Sequence, residues 1–382
     1  MKKKITIQET YRDIMKGLSA FQVFPEMPDQ PKEGKWYRVS LTDCRCGDGS
    51  PYSISFRLGR EDKLMINFHG GGVAYDIYTL QRPIASTNTD TEGFYFNEIS
   101  PMYDAASCSG IGSQKEECLF KDWTMININY TSGDFHTGTN RVDYTGLDGK
   151  EQTAYLHGYT NFQAAMEKLM PYLGSPETLI LCGESAGAFG VAALAEDVIE
   201  MFPECGNITV CPDSGLLVYD GWQKTAAELW GSPAHIVEKL TDTNFVTGCM
   251  LDLHRKYGDR IQYMYTSSLR DGSLAEYQEF MDGRPKAHTR EGGLRHETHL
   301  AHMYRQLKAA IPEMGFYLHD SLPHSEQTKE LDLTIHTLLM NDRVLEPMEE
   351  GISIQEWLWN ASEGKVETIL CEKMRTILER EE

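Results

Sequence analysis

The sequence predicts an α/β fold on a mostly parallel central sheet, with helices on both faces and long loops at the carboxyl edge. Three observations predict it. Short apolar runs alternate with longer amphipathic stretches, the order in which crossover helices join parallel strands. A tight turn around Ser185 stands directly between one such run and an alanine-rich stretch. A second turn, His69-Gly70-Gly71-Gly72, directly follows an earlier run.

Taken in order, the apolar runs place strands at 53–58, 63–68, 123–129, 178–182, 207–211, 261–265 and 315–318. The amphipathic stretches place helices at 152–172, 186–201, 275–281, 296–311 and 366–380, the last within a C-terminal helical segment at 352–382. Residues 77–121 are rich in Ser, Thr, Gly and Asn and read as long irregular excursions near one end of the sheet. Long ordered loops of that kind carry binding surfaces more often than structure. There is no internal repeat, low-complexity linker or composition break, so the 382 residues read as one domain, 1–382.

Composition narrows the partners. The hydrophobic share of 41% suffices for a large core, and no run reaches the roughly 20 apolar residues of a membrane span. Net charge is −21, which repels phosphate backbones and anionic headgroups, so neither nucleic acid nor a membrane is an expected partner. The lysines at 2–4 are followed at 5–17 by Glu9, Arg12, Asp13 and Lys16, which leave no apolar signal core. Nine scattered cysteines fit reduced thiols better than a disulfide framework, and a cytoplasmic location is expected. Cys44 and Cys46 have no second pair at zinc spacing, so neither metal nor other cofactor is expected.

Gly183-Glu184-Ser185-Ala186-Gly187 carries the chemistry. In a strand–turn–helix setting, G-x-S-x-G lifts a serine hydroxyl above the sheet, and small flanking residues avoid clashes in the turn. The helix that begins after the serine favours negative charge there. The glycine run after His69 supplies amides that approach a substrate oxygen with no side chain between, joined by the amide of Ala186. Together they predict an α/β-hydrolase-like fold and a serine nucleophile.

Such a serine needs a base and an orienting acid, in the chain order Ser, acid, His. Nine histidines follow Ser185. His296, His299 and His302 share one amphipathic stretch and are expected on its solvated flank. His336, polar within Thr334-Ile335-His336-Thr337-Leu338-Leu339, stands where the histidine loop is expected. Two aspartates compete as the acid: Asp271, after the run at 261–265, and Asp213, after the run at 207–211.

The chain resembles the pectinacetylesterase–Notum family from about residue 44 to 339. The resemblance rests on residues 46–52 (Cys46 to Tyr52), Gly70-Gly71-Gly72, residues 130–136 (Tyr130 to His136) and His157-Gly158-Tyr159. It continues through Gly183 to Gly187, Asp213-Ser214-Gly215, residues 271–278 and His336-Thr337-x-Leu339. It implies Ser185 as nucleophile, Asp271 as acid, His336 as base, and Gly71, Gly72 and Ala186 as oxyanion donors. Tyr75, Tyr130, Asp134 and Asp213 are expected near the pocket. Two departures stand out. Val73, Ala74 and Tyr75 follow the glycines where Trp or Cys is usual, and Tyr130 is followed by Thr131 where a Tyr-Cys pair is frequent. The expected activity is removal of an O-acetyl or other short acyl group from a carbohydrate such as pectin. Lipid-ester or protein deacylation, which needs a deep apolar pocket, is the alternative. A non-catalytic ligand-binding module on the same fold is the alternative of another class.

Overall fold

The computed structural model describes residues 24–84, 92–100, 102–323 and 325–380. The lysines at 2–4 and the stretch at 5–17 lie outside the described residues. Nine strands form the main sheet: β1 (Trp36–Arg45), β2 (Pro51–Arg57), β3 (Arg60–Phe68), β4 (Trp123–Ile128), β5 (Thr178–Glu184), β6 (Asn207–Asp213), β7 (Ile261–Ser268), β8 (Gly315–His319) and β9 (Ile369–Leu370). Their spatial order is β1-β2-β4-β3-β5-β6-β7-β8-β9. β2 runs antiparallel to both its neighbours, and every later pair is parallel.

The parallel strands read as continuous apolar runs because both faces of the sheet are covered. Leu64, Ile66, Phe68, Leu179 and Leu181 join one core, while Met65, Ile180 and Cys182, alternating with them, join another. The first core is closed by α1 (Gly158–Leu173), α2 (Ala186–Met201), α3 (Phe245–Tyr257), α4 (Gly272–Met281) and α5 (Arg290–Ala310). The second is closed by α6 (Ile354–Ser362). A last helix, α7 (Glu372–Arg380), follows β9. Among the described residues no helix is long and apolar enough to cross a membrane.

Several elements depart from expectation. β1 carries polar residues at its exposed positions, as an edge strand can, and so does not stand out as an apolar run. Residues 152–156 are not the start of a helix: Glu151–Leu156 pairs antiparallel with Asn140–Thr145, and α1 begins at Gly158. Side-chain hydrogen bonds from Thr153 to Asp143 (2.6 Å) and from Tyr144 to Gln152 (2.9 Å) hold that polar hairpin. α3 was not anticipated, and α5 starts earlier than expected, at a Thr289 cap that accepts from the Gly292 amide at 2.9 Å. The C-terminal segment is not wholly helical, since β9 pairs with β8 before α7 begins. Within 77–121 lie the helices Ile77–Leu80 and Met102–Ser107 and the paired strands Pro83–Ile84 and Tyr95–Phe96.

Candidate active site

The site gathers at the carboxyl ends of β3, β5, β6 and β7. Ser185 stands between β5 and α2 with φ 58° and ψ −124°. That backbone is costly for a residue with a side chain and persists only where its surroundings impose it. The surroundings are tight. A Cβ on Gly187 would fall 1.8 Å from the Phe68 carbonyl oxygen, and one on Gly183 2.3 Å from that of Gly187. The Ser185 amide donates to the Asp213 carbonyl at 2.9 Å, which ties the turn to the end of β6.

Ser185 Oγ is 2.8 Å from His336 Nε2, and His336 Nδ1 is 2.7 Å from Asp271 Oδ2. Asp271 is fully buried and caps α4, its other oxygen accepting from the Ser273 and Leu274 amides at 3.0 Å each. Burial opposes the charge on either partner, but each stabilises the other's. The net result is a His336 pKa above the ordinary imidazole value and an Asp271 pKa below the ordinary carboxyl value. The segments carrying acid and imidazole are laced together, Thr334 N–H to the Arg270 carbonyl at 3.0 Å and Gly272 N–H to that of Thr334 at 3.3 Å.

Of the two aspartates the sequence leaves open, Asp271 is the one at the imidazole. Asp213 has another task. Its Oδ2 accepts from the Leu338 and Leu339 amides at 2.8 and 2.9 Å, and its Oδ1 from the Ser214 hydroxyl at 2.9 Å. It anchors the loop that carries His336. Burial raises its carboxyl pKa to about 6 despite those hydrogen bonds.

The glycine turn leaves β3 and lies flat against the serine turn: a Cβ on Gly70 would meet Ser185 Cβ at 2.5 Å. The Tyr130 hydroxyl donates to the Gly72 carbonyl at 2.9 Å and accepts from the Phe135 amide at 3.1 Å. Gly71, Gly72 and Ala186 border a cavity of about 270 Å³ together with Ser185 and His336. Ala186 opens α2, where an amide has no carbonyl in a preceding turn to bond. The cavity walls are mainly apolar, among them Val73, Ile84, Phe96, Phe135, Phe189 and Leu217.

None of the four residues expected near the pocket borders this cavity. Tyr130 braces the glycine turn from behind, and Asp213 anchors the histidine loop. Tyr75 packs on Tyr219, ring centroids 5.4 Å apart. Asp134 is fully buried and accepts from Ser132 Oγ (2.6 Å) and from the His136 and Gly158 amides (3.1 and 2.8 Å), tying its loop to α1. His296 is buried rather than solvated, and burial lowers its pKa to about 4. Of the residues that replace Trp or Cys, Val73 borders the cavity, and the Ala74 carbonyl accepts from Trp230 Nε1 at 2.7 Å. The excursion at 77–121 does contribute to the binding surface, as expected, though its individual wall residues are not singled out by the sequence. Ile84, Phe96, Met102, Tyr103 and Ala106 come from the irregular excursion, where apolar residues follow no period that marks them.

A central sheet of this order, with a strained serine after β5, an acid after β7 and a late histidine loop, defines an α/β hydrolase. The pectinacetylesterase family model matches residues 38–232, just over half of the chain. The chain belongs to that family and is a carboxylic ester hydrolase. The crystal structure of the Wnt deacylase Notum from Drosophila has a similar fold. It superposes with a TM-score of 0.58 at 16% identity, over 88% of this chain and 96% of that one. A search of curated protein sequences finds no match.

Two outcomes follow from this geometry. Asp271→Asn should cost about four orders of magnitude in turnover, as loss of a triad acid does. Asp213→Asn keeps an acceptor for the histidine loop and should cost roughly tenfold, about the worth of one hydrogen bond. Steady-state kinetics of the two folded variants check the order, and the reverse order would reassign the acid. Gly187→Ala should lower stability by about 4 kcal/mol or more, the range of severe core disruption, as read by urea unfolding.

Proposed function

We propose that the protein is a serine esterase working through an acyl-enzyme on Ser185, and that its preferred acyl group is a chain of several carbons. One observation carries the reading: Ser185, His336 and Asp271 stand in hydrogen-bonded sequence at 2.8 and 2.7 Å beside an apolar cavity of about 270 Å³. Ser185 Oγ attacks the ester carbonyl as its proton passes to His336 Nε2. Asp271 holds the Nδ1–H tautomer and stabilises the imidazolium. The amides of Gly71, Gly72 and Ala186 receive the oxyanion. His336 then protonates the leaving alcohol, and water releases the acyl group by the same route.

Acyl length follows from the walls. An acetyl group would fill little of the cavity, leaving Phe135, Phe189 and Leu217 short of contacts. Each buried methylene adds about 0.8 kcal/mol. This favours the deacylase reading over the carbohydrate O-acetyl reading. The second reading keeps one specific support, the match of residues 38–232 to the pectinacetylesterase family. A non-catalytic binding module has less support, because nucleophile, base and acid are all present and in contact.

On p-nitrophenyl esters, kcat/KM should rise about fourfold per methylene from acetate to butyrate and fall once the chain outgrows the cavity. Acetate as the best substrate would restore the carbohydrate reading. Ser185→Ala should lose on the order of a million-fold in turnover and all labelling by a fluorophosphonate probe, with its unfolding curve little changed. The base acts as neutral imidazole, and its pKa is raised. The acid limb of kcat/KM should therefore lie above the ordinary histidine value of about 6.5, with activity lost as pH falls through it. A pH–rate profile that stays level down to about pH 6 would exclude His336 as the base.

A further inference from the structure

A second acid–imidazole pair borders the same cavity. His69 Nδ1 is 2.5 Å from Glu184 Oε1, and both residues line the pocket beside Ser185. His69 is 1% exposed and Glu184 8%. The other Glu184 oxygen is enclosed and has no hydrogen-bond partner among the described residues. The pair even repeats the order acid, imidazole, hydroxyl, since His69 Nε2 is 3.4 Å from Ser107 Oγ. Ser107 is fully buried and does not border the cavity, so it is no second nucleophile.

The pair supplies charge at a fixed place. Glu184 is the last residue of β5 and directly precedes the nucleophile. The groups that act on His336 come from several elements: Asp271 ahead of α4, Asp213 at the end of β6, Glu184 at the end of β5 and buried His296 on α5. Around the pair itself stand Asp104, on which His69 acts, and the buried Cys182 thiol, on which Glu184 acts. His69 is further fixed by stacking on Tyr103, with centroids 5.0 Å apart.

We propose that Glu184, held by His69, is a positioning residue of the Ser185 reaction: acting through His336, its carboxylate stabilises the imidazolium that forms as Ser185 loses its proton. The proposal rests on the serine-esterase reading. His69 donates Nδ1–H to Glu184 and so holds the carboxylate in place beside Ser185. Without that donor no hydrogen bond among the described residues fixes the carboxylate, and its placement relative to His336 is lost.

The test is the pH dependence of kcat/KM on a chromogenic butyrate ester for Glu184→Gln, Glu184→Asp and His69→Phe, with Ser185→Ala in parallel. Glu184→Gln should move the acid limb to lower pH by roughly half a unit. Glu184→Asp keeps the charge and should keep the wild-type limb. His69→Phe retains a ring against Tyr103 but no donor, and should shift the limb as Glu184→Gln does; if Glu184→Gln does not fold, this variant carries the comparison alone. Limbs that coincide with the wild type in Glu184→Gln or His69→Phe overturn the proposal, as does a Glu184→Asp limb that follows Glu184→Gln. A Ser185→Ala protein that keeps its turnover overturns the esterase reading instead, whatever the Glu184 variants do.

Discussion

The contact between the serine turn and the end of β3 is the constraint from which the rest of the site follows. Gly187 lies so close to the Phe68 carbonyl that nothing larger than hydrogen fits between them. Two chain segments remote in sequence are thereby brought to one point: the serine turn after β5 and the glycine turn after β3. The strained backbone at Ser185 is held because relaxing it would break this approach. The glycine turn and Ser185 share a position for the same steric reason, so neither needs a separate device to find the other.

Buried carboxylates do the remaining positioning, and each is satisfied differently. Asp271 trades the cost of burial for two amides and an imidazole. Asp213 trades it for two amides and a hydroxyl, and its own carbonyl holds the Ser185 amide. One residue thus ties the Ser185 backbone to the loop carrying His336. Asp134 does the same work further out, between its loop and α1. A buried charge left without partners would be strongly destabilising, so these contacts serve stability and geometry at once.

What could be read in the sequence was what local chemistry determines. The Ser185 turn, the glycine run and the central parallel strands announce themselves because small residues and apolar runs are needed at those places whatever the rest of the chain does. β1, the hairpin ending at Leu156 and the two-residue β9 were hidden, since their pairing partners and not their own composition make them strands. His296 was misplaced because one side of α5 packs against the core, which a pattern of polar residues does not reveal. The acid could be narrowed to Asp271 and Asp213 but not chosen from position alone, since both follow strands at the same edge of the sheet. Tyr130 and Asp134 are expected near the pocket and instead brace the turns around it, because a motif does not say whether a residue faces a cavity or stands behind it.

The division of labour between sheet and excursion has a consequence for how the cavity can be reshaped. Ser185, His336 and Asp271 hang from strand ends and buried carboxylates, whereas Ile84, Phe96, Met102 and Tyr103 on the cavity wall belong to the irregular segment between β3 and β4. Substitutions at Ile84 or Met102 would redraw the cavity alone, whereas Tyr103 also stacks on His69 and donates to the Gly70 and Tyr130 carbonyls, so a change there reaches the turns beside Ser185. The shape of the cavity can therefore be altered at some of its wall positions independently of the Ser185 and His336 contacts, and at Tyr103 only together with them.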